Sequence, residues 1–133
     1  MLAATAELFA KRGIDEARLD AEHLLAHVLG LRRIDLFTDR DRPLSEPELA
    51  RYRAAVKQRA GERLSVAHIT GRREFYSLEL EVTRATLAPR PETEVLVDAA
   101  LEALARRAAG TPAPGPALVA DVGTGTGAIA IAV

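Results

Sequence analysis

A chain of 133 residues with 48% hydrophobic but only 4% aromatic residues and no Trp can bury a core, and that core must be built from Leu, Val and Ala, which favours helices. Its 18 basic and 19 acidic residues leave a formal charge of -1, so no global field steers it toward nucleic acid or an anionic membrane. Cys is absent, which excludes disulfides, a thiolate nucleophile and Cys-ligated metal and fits a reducing cytoplasm.

The N-terminus has no basic start followed by a long apolar run, and no segment approaches the ~20 apolar residues of a membrane helix, so the chain reads as soluble and unsecreted. A first helix is expected from Leu2 to Arg12, with Leu2, Ala6, Phe9 and Ala10 on one face and Gly13 as its stop. A second runs from about Asp15 to Leu29, with Leu24, Leu25, Val28 and Leu29 inward and Gly30 ending it; the stretch "RRIDLFT" forms a shorter third. The fourth carries the clearest start signal. Ser45 caps the free amides, Glu48 reaches back to the Ser45 amide, Pro47 sits in the first turn, and Leu44 with Leu49 forms a hydrophobic staple. Leu49, Tyr52 and Val56 face inward and Gly61 ends that helix, which makes residues 1 to about 62 a small helical bundle.

After Gly61 the periodicity changes. Leu78, Leu80 and Val82 alternate with Glu79 and Glu81, the signature of a strand with one buried face, and "REFYS" is its expected hairpin partner. A helix then begins near Pro91 and ends at Gly110, with Glu92 and Glu94 in its first turn and Arg106 and Arg107 in its last, matching the helix dipole at both ends. The stretch "TPAPGP", Thr111 to Pro116, reads as a stiff linker. The apolar run Ala117 to Val122 is expected as a strand buried on both faces of a parallel sheet, and "AIAIAV" as the start of its crossover helix.

Between these two elements lie Gly123, Thr124, Gly125, Thr126 and Gly127. Glycines permit a tight strand-to-helix turn and let a ligand touch the backbone, while free amides at a helix start favour an anionic group. The pattern G-x-G-x-G is shared by methyltransferases and is close to the dinucleotide fingerprint G-x-G-x-x-G, and a purely structural turn is the bland alternative. Asp121, two residues ahead, discriminates between ligands. Its carboxylate can accept hydrogen bonds from an ammonium group or from loop amides but repels a pyrophosphate, so the zwitterionic end of S-adenosylmethionine fits better than NAD.

The segments "HITGRREFYSLELEVTRATLAPRPETEVLVDAALE" and "VADVGTGTGAIAIAV" together resemble the peptide chain release factor N(5)-glutamine methyltransferases, strongly after Gly61 and weakly before it. The resemblance implies a helical N-terminal domain over residues 1–72 that docks a release factor, a β-hairpin connector over 73–84, and from 85 to 133 the incomplete start of a doubly wound, Rossmann-like α/β methyltransferase domain. It implies S-adenosyl-L-methionine as methyl donor and a peptide chain release factor as protein substrate, methylated on the Gln amide of its Gly-Gly-Gln tip. Asp121, Gly123, Thr124, Gly125, Thr126 and Gly127 would then form the cofactor site, and Arg90, Thr93 and Glu94 of "PRPETE" would stand at the cofactor and substrate entrance. For those three, helix initiation and charge pairing explain the residues equally well. The family's Asn-Pro-Pro-Tyr segment and ribose-binding acid are expected beyond Val133, so these 133 residues alone are expected to be inactive.

His23 and His27 have the i, i+4 spacing of a helical metal pair but no HExxH pattern or third ligand, so no metal site is expected. His68 stands where the resembled family commonly has Tyr. The pairs Arg32-Arg33, Arg72-Arg73 and Arg106-Arg107 lack interleaved aromatics and read as solvated faces, with no direct nucleic-acid or membrane partner. A monomeric cytoplasmic enzyme is the resulting expectation. The alternatives are a non-enzymatic release-factor-binding module and a fragment of an NAD-type oxidoreductase.

Overall fold

The computed structural model describes residues 1–38, 42–110 and 115–133. It divides into two units, Met1–Thr70 and Gly71–Val133. The first holds α1 (Leu2–Lys11), α2 (Ala17–Leu29), α3 (Asp35–Thr38), α4 (Glu46–Gly61) and α5 (Val66–Thr70). The second holds β1 (Arg72–Phe75), β2 (Leu78–Glu81), a 3-10 turn (Pro91–Thr93), α6 (Glu94–Gly110) and α7 (Ala128–Ala132).

In the first unit α2 is the axis. Ala21, Leu24, Leu25, Ala26 and Val28 are buried on it, and Phe9 of α1, Leu36 of α3 and Tyr52 and Ala55 of α4 close over them. The inward stripe expected for α2 is borne out, with Leu29 packed at its edge. On α1 the buried face is turned by one position: Thr5 is buried with Phe9, while Ala10 is exposed. The phenol of Tyr52 donates to the Ala21 carbonyl oxygen at 3.3 Å, so the largest buried side chain of α4 is also its polar link to α2. Burial pushes that phenol above its ordinary pKa, a shift only partly offset by a hydrogen bond with Thr5.

Helix boundaries follow local chemistry. Gly30 takes the left-handed conformation, φ 66°, and lets Leu31 N–H donate back to the Ala26 carbonyl. The capping box of α4 is present, with Glu48 Oε2 accepting from both the amide and the hydroxyl of Ser45 at 2.8 Å. Gly61 ends α4 as expected, as its last helical residue. The left-handed residue is Arg63, φ 58°, and the chain then turns into α5, an element absent from the sequence reading. Arg59 holds that turn: its Nε donates to Asp20 Oδ2 at 2.7 Å and its Nη1 to the Leu64 carbonyl at 3.2 Å.

α2 buries two carboxylates. Asp20 is taken up by Arg59, and Glu22, only 4% exposed, accepts from Arg18 Nε at 2.9 Å and Arg33 Nη1 at 3.0 Å. For Glu22 burial works to raise the pKa, but the two guanidinium hydrogen bonds and their charges outweigh it and hold the carboxyl below the usual carboxylate value of 4.5.

In the second unit β1 and β2 pair antiparallel, Phe75 opposite Leu78 and Arg72 opposite Glu81, as the hairpin expectation required. Phe75 is buried with Val97 of α6 and Ala128 of α7, and Leu80, Leu101 and Ile129 pack against them. Of the expected inner face of β2 only Val82, just past the strand, is fully buried, while Leu78 is exposed. The helix over Pro91–Gly110 forms as read, its first turn being 3-10.

The expected strand from Ala117 to Val122 is not formed. These residues carry no strand pairing, and Leu118 and Val122 are 98% and 95% exposed. A strand needs a hydrogen-bonded neighbour, and the described strands of this unit pair with each other. The Rossmann-like start therefore remains an expectation, and the fold is helix-rich with one small antiparallel hairpin. The expected linker lies for the most part, Thr111 to Pro114, outside the described residues.

Replacing Ser45 by Ala removes one half of the capping box and is expected to lower the unfolding free energy by about 1 kcal/mol in urea titrations. The Glu22 shift also carries a pH dependence. Because the folded-state pKa lies below 4.5, the stability this carboxylate contributes is complete above that pH and is lost as pH falls through the folded value. Melting curves between pH 6 and pH 3 should fall more steeply for the native chain than for Glu22→Gln.

Candidate functional site

The glycine turn is built from backbone geometry that only glycine adopts without strain. Gly123, Gly125 and Gly127 have φ of 80°, 56° and 75°. A Cβ placed on Gly123 would meet open space, so the requirement lies in the backbone angle and the outer side of the turn is accessible. The Gly127 amide donates to the Thr124 carbonyl at 2.8 Å, closing the loop, and Ile131 N–H donates to the Gly127 carbonyl at 2.9 Å as α7 begins. Thr124 Oγ1 donates to Asp121 Oδ2 at 3.0 Å. That bond anchors one carboxylate oxygen to the loop. Thr126 is half-buried in the same turn.

Asp121, Thr124 and Gly127 are thus joined in one loop as the sequence reading grouped them. The "PRPETE" residues are engaged differently. Arg90 caps the 3-10 turn, its carbonyl accepting from Thr93 N–H at 3.0 Å, and both residues serve to start α6. Glu94 Oε1 accepts the Tyr76 amide at 3.0 Å, so its carboxylate is committed to the hairpin tip.

The residues that complete this arrangement were not singled out in the sequence. Tyr76 and Ser77 form the hairpin's two-residue loop with φ of 51° and 62°, and the Tyr76 hydroxyl donates to Asp98 Oδ1 at 2.9 Å. The hydrogen bond to Asp98 raises the Tyr76 pKa, with lesser contributions from burial and from the charges of Asp98 and Glu94. The only signal available was the i, i+4 spacing of Glu94 and Asp98 on the helix.

In the first unit a cleft of about 860 Å³ opens beside α1, α2 and α3, lined by apolar residues such as Leu2, Leu25, Leu36 and Phe37 and by both signs of charge, Arg18 and Arg42 with Glu7, Glu22 and Asp35. His23 and His27 are exposed on α2. Among the described residues no group of three or more His, Cys, Asp or Glu could hold a metal ion, and no helix is long and apolar enough to cross a membrane. His68 Nδ1 lies 2.7 Å from Ser65 Oγ at the start of α5.

A helical unit, followed by a unit in which hairpin, α6 and α7 share one core, defines a helix-rich protein with a small antiparallel hairpin. Comparison with known proteins makes the class specific. Residues 1–71 match the family model described as the PrmC N-terminal domain, and the chain belongs to that family. Over 129 residues it is 44% identical to the release factor glutamine methyltransferase of Rhodopirellula baltica, covering 97% of this chain and 42% of that protein. The proteins of the same name from Chlorobaculum tepidum and Burkholderia pseudomallei are 45% and 46% identical over 98% of this chain, which covers 44% and 42% of them. The chain therefore spans about two fifths of the length of the curated relatives it matches.

Left-handed Ser77 is a site of local strain. Ser77→Gly is expected to raise the unfolding free energy by about 0.5–1 kcal/mol, because glycine adopts that turn position without steric conflict. Equilibrium urea unfolding of the two chains checks it.

Proposed function

We propose that this chain is part of an enzyme that uses S-adenosyl-L-methionine to methylate the Gln side-chain amide in the Gly-Gly-Gln motif of a peptide chain release factor. The observation that carries the reading is the 44–46% identity along almost the whole chain to proteins named release factor glutamine methyltransferase. Residues 1–72 would serve as the release-factor docking domain, 73–84 as connector and 85–133 as the beginning of a doubly wound methyltransferase domain. The exposed apolar run Leu118–Val122 supports this division, since such a run gains stability by joining a sheet.

The residues present fit the methyl donor in chemistry. The open, left-handed glycine turn allows a ligand to approach the backbone, and Asp121 keeps a second carboxylate oxygen, Oδ1, with which to accept an ammonium hydrogen. Gly123, Thr124, Gly125, Thr126 and Gly127 would line the donor's amino-acid end. The donor supplies an electrophilic methyl carbon on a sulfonium. Asp121 orients the ammonium end, Thr124 fixes the Asp121 carboxylate, and Arg90, Thr93 and Glu94 shape the entrance through the turn that starts α6.

An amide nitrogen is a weak nucleophile, so transfer also requires groups that hold it in line with the methyl carbon and accept its proton. The Asn-Pro-Pro-Tyr segment suited to that task does not occur in these 133 residues. Incubated with radiolabelled S-adenosylmethionine and a release factor, the chain alone should leave the Gly-Gly-Gln glutamine unmodified. The product of the native reading frame should methylate it, and Gly125→Ala in that product should raise the KM for the donor at least tenfold, about 1.4 kcal/mol of lost binding. Methylation by the 133-residue chain, or none by the native product, would overturn the reading.

A further inference from the structure

Tyr76 is held at both ends by one helix. Its amide donates to Glu94 Oε1 at 3.0 Å and its hydroxyl to Asp98 Oδ1 at 2.9 Å, two carboxylates one turn apart on α6. A Tyr at φ 51°, followed by Ser at φ 62°, is an uncommon choice for a two-residue hairpin loop, where Asn-Gly forms the same turn without strain. Such a conformation persists only where its surroundings over-determine it, and the two carboxylates do so.

The residue before this tip is Phe75, buried against Val97 and Ala128. Val97 sits between Glu94 and Asp98 in sequence, and Ala128 follows Gly127 directly. The helix that leaves the glycine turn, α7, has five residues and cannot hold its position by its own hydrogen bonds. Its placement depends on Ala128 in this core, with Ile129 and Ala132 packed beside it.

We infer that Glu94 and Asp98 form a latch on Tyr76, and that this latch, through Phe75 and Ala128, sets the conformation of the Gly123–Gly127 turn. Glu94 and Tyr76 are then positioning residues for the cofactor loop, a role that rests on the reading of that loop as the donor site. They act from the hairpin side of the core. The bond at Glu94 requires an acceptor and not a charge, since its partner is a neutral amide. That separates a positioning role from simple charge pairing at a helix start.

Amide hydrogen exchange of the 133-residue chain, followed by NMR, tests this without cofactor. The reporters are the amides of Gly127 and Ile131, bonded to the Thr124 and Gly127 carbonyls. Glu94→Ala and Tyr76→Phe should each speed their exchange by about fivefold or more, and Glu94→Gln, which keeps an acceptor oxygen, should restore the native rate. Native exchange at both reporters in Tyr76→Phe and Glu94→Ala would overturn the latch, as would failure of Glu94→Gln to differ from Glu94→Ala. If Glu94→Ala unfolds the second unit, Tyr76→Phe decides alone: faster exchange supports the latch and native exchange refutes it. Because no donor is present, failure here leaves the methyltransferase reading standing, and failure of that reading leaves the latch measurable.

Discussion

A carboxylate taken out of water must be paired, and that constraint organises the first unit. α2 buries residues around most of its circumference, including Asp20 and Glu22, so arginines must reach it from several directions. Arg18 comes from the same helix, Arg33 from the segment leading into α3 and Arg59 from α4. The Arg33 and Arg59 pairings each tie a neighbouring segment to the axis, while Arg18 pairs within α2. Apolar contacts supply the driving force, and the paired charges tie α4 and the segment leading into α3 to α2.

Arg59 extends this logic into the backbone. By holding Asp20 and the Leu64 carbonyl together it stabilises a turn in which Arg63 adopts a left-handed conformation and α5 can begin. The second unit repeats the pattern on a smaller scale. Among the described residues its core cluster centres on Phe75, Val97 and Ala128, and the strained hairpin tip is held both by packing of Tyr76 against it and by hydrogen bonds to α6. In both units a non-glycine residue sits at positive φ, and side-chain hydrogen bonds anchor the segment around it.

The glycine turn is restrained both from within and at the end that leads into α7. Its three glycines permit positive φ, and a side-chain bond from Thr124 to Asp121 and a backbone bond from the Gly127 amide to the Thr124 carbonyl restrain it from within. Ala128, directly after Gly127, packs with Phe75 and Val97 and ties the end of the turn to the core.

Much of the chain was legible in its sequence. Helical periodicity and the Ser45–Glu48 spacing located the main helices, alternation located the hairpin, and the glycine spacing marked the loop, because each of these signals depends only on local backbone chemistry. What local chemistry cannot contain is a partner distant in sequence. The sequence therefore did not reveal that Asp20 meets Arg59, that Tyr76 meets Asp98, that Glu94 serves the hairpin, or that Arg63 would take the left-handed conformation after α4. The run Ala117 to Val122 shows the same limit from the other side: its composition is that of a buried strand, but a strand exists only when a neighbouring strand accepts its hydrogen bonds.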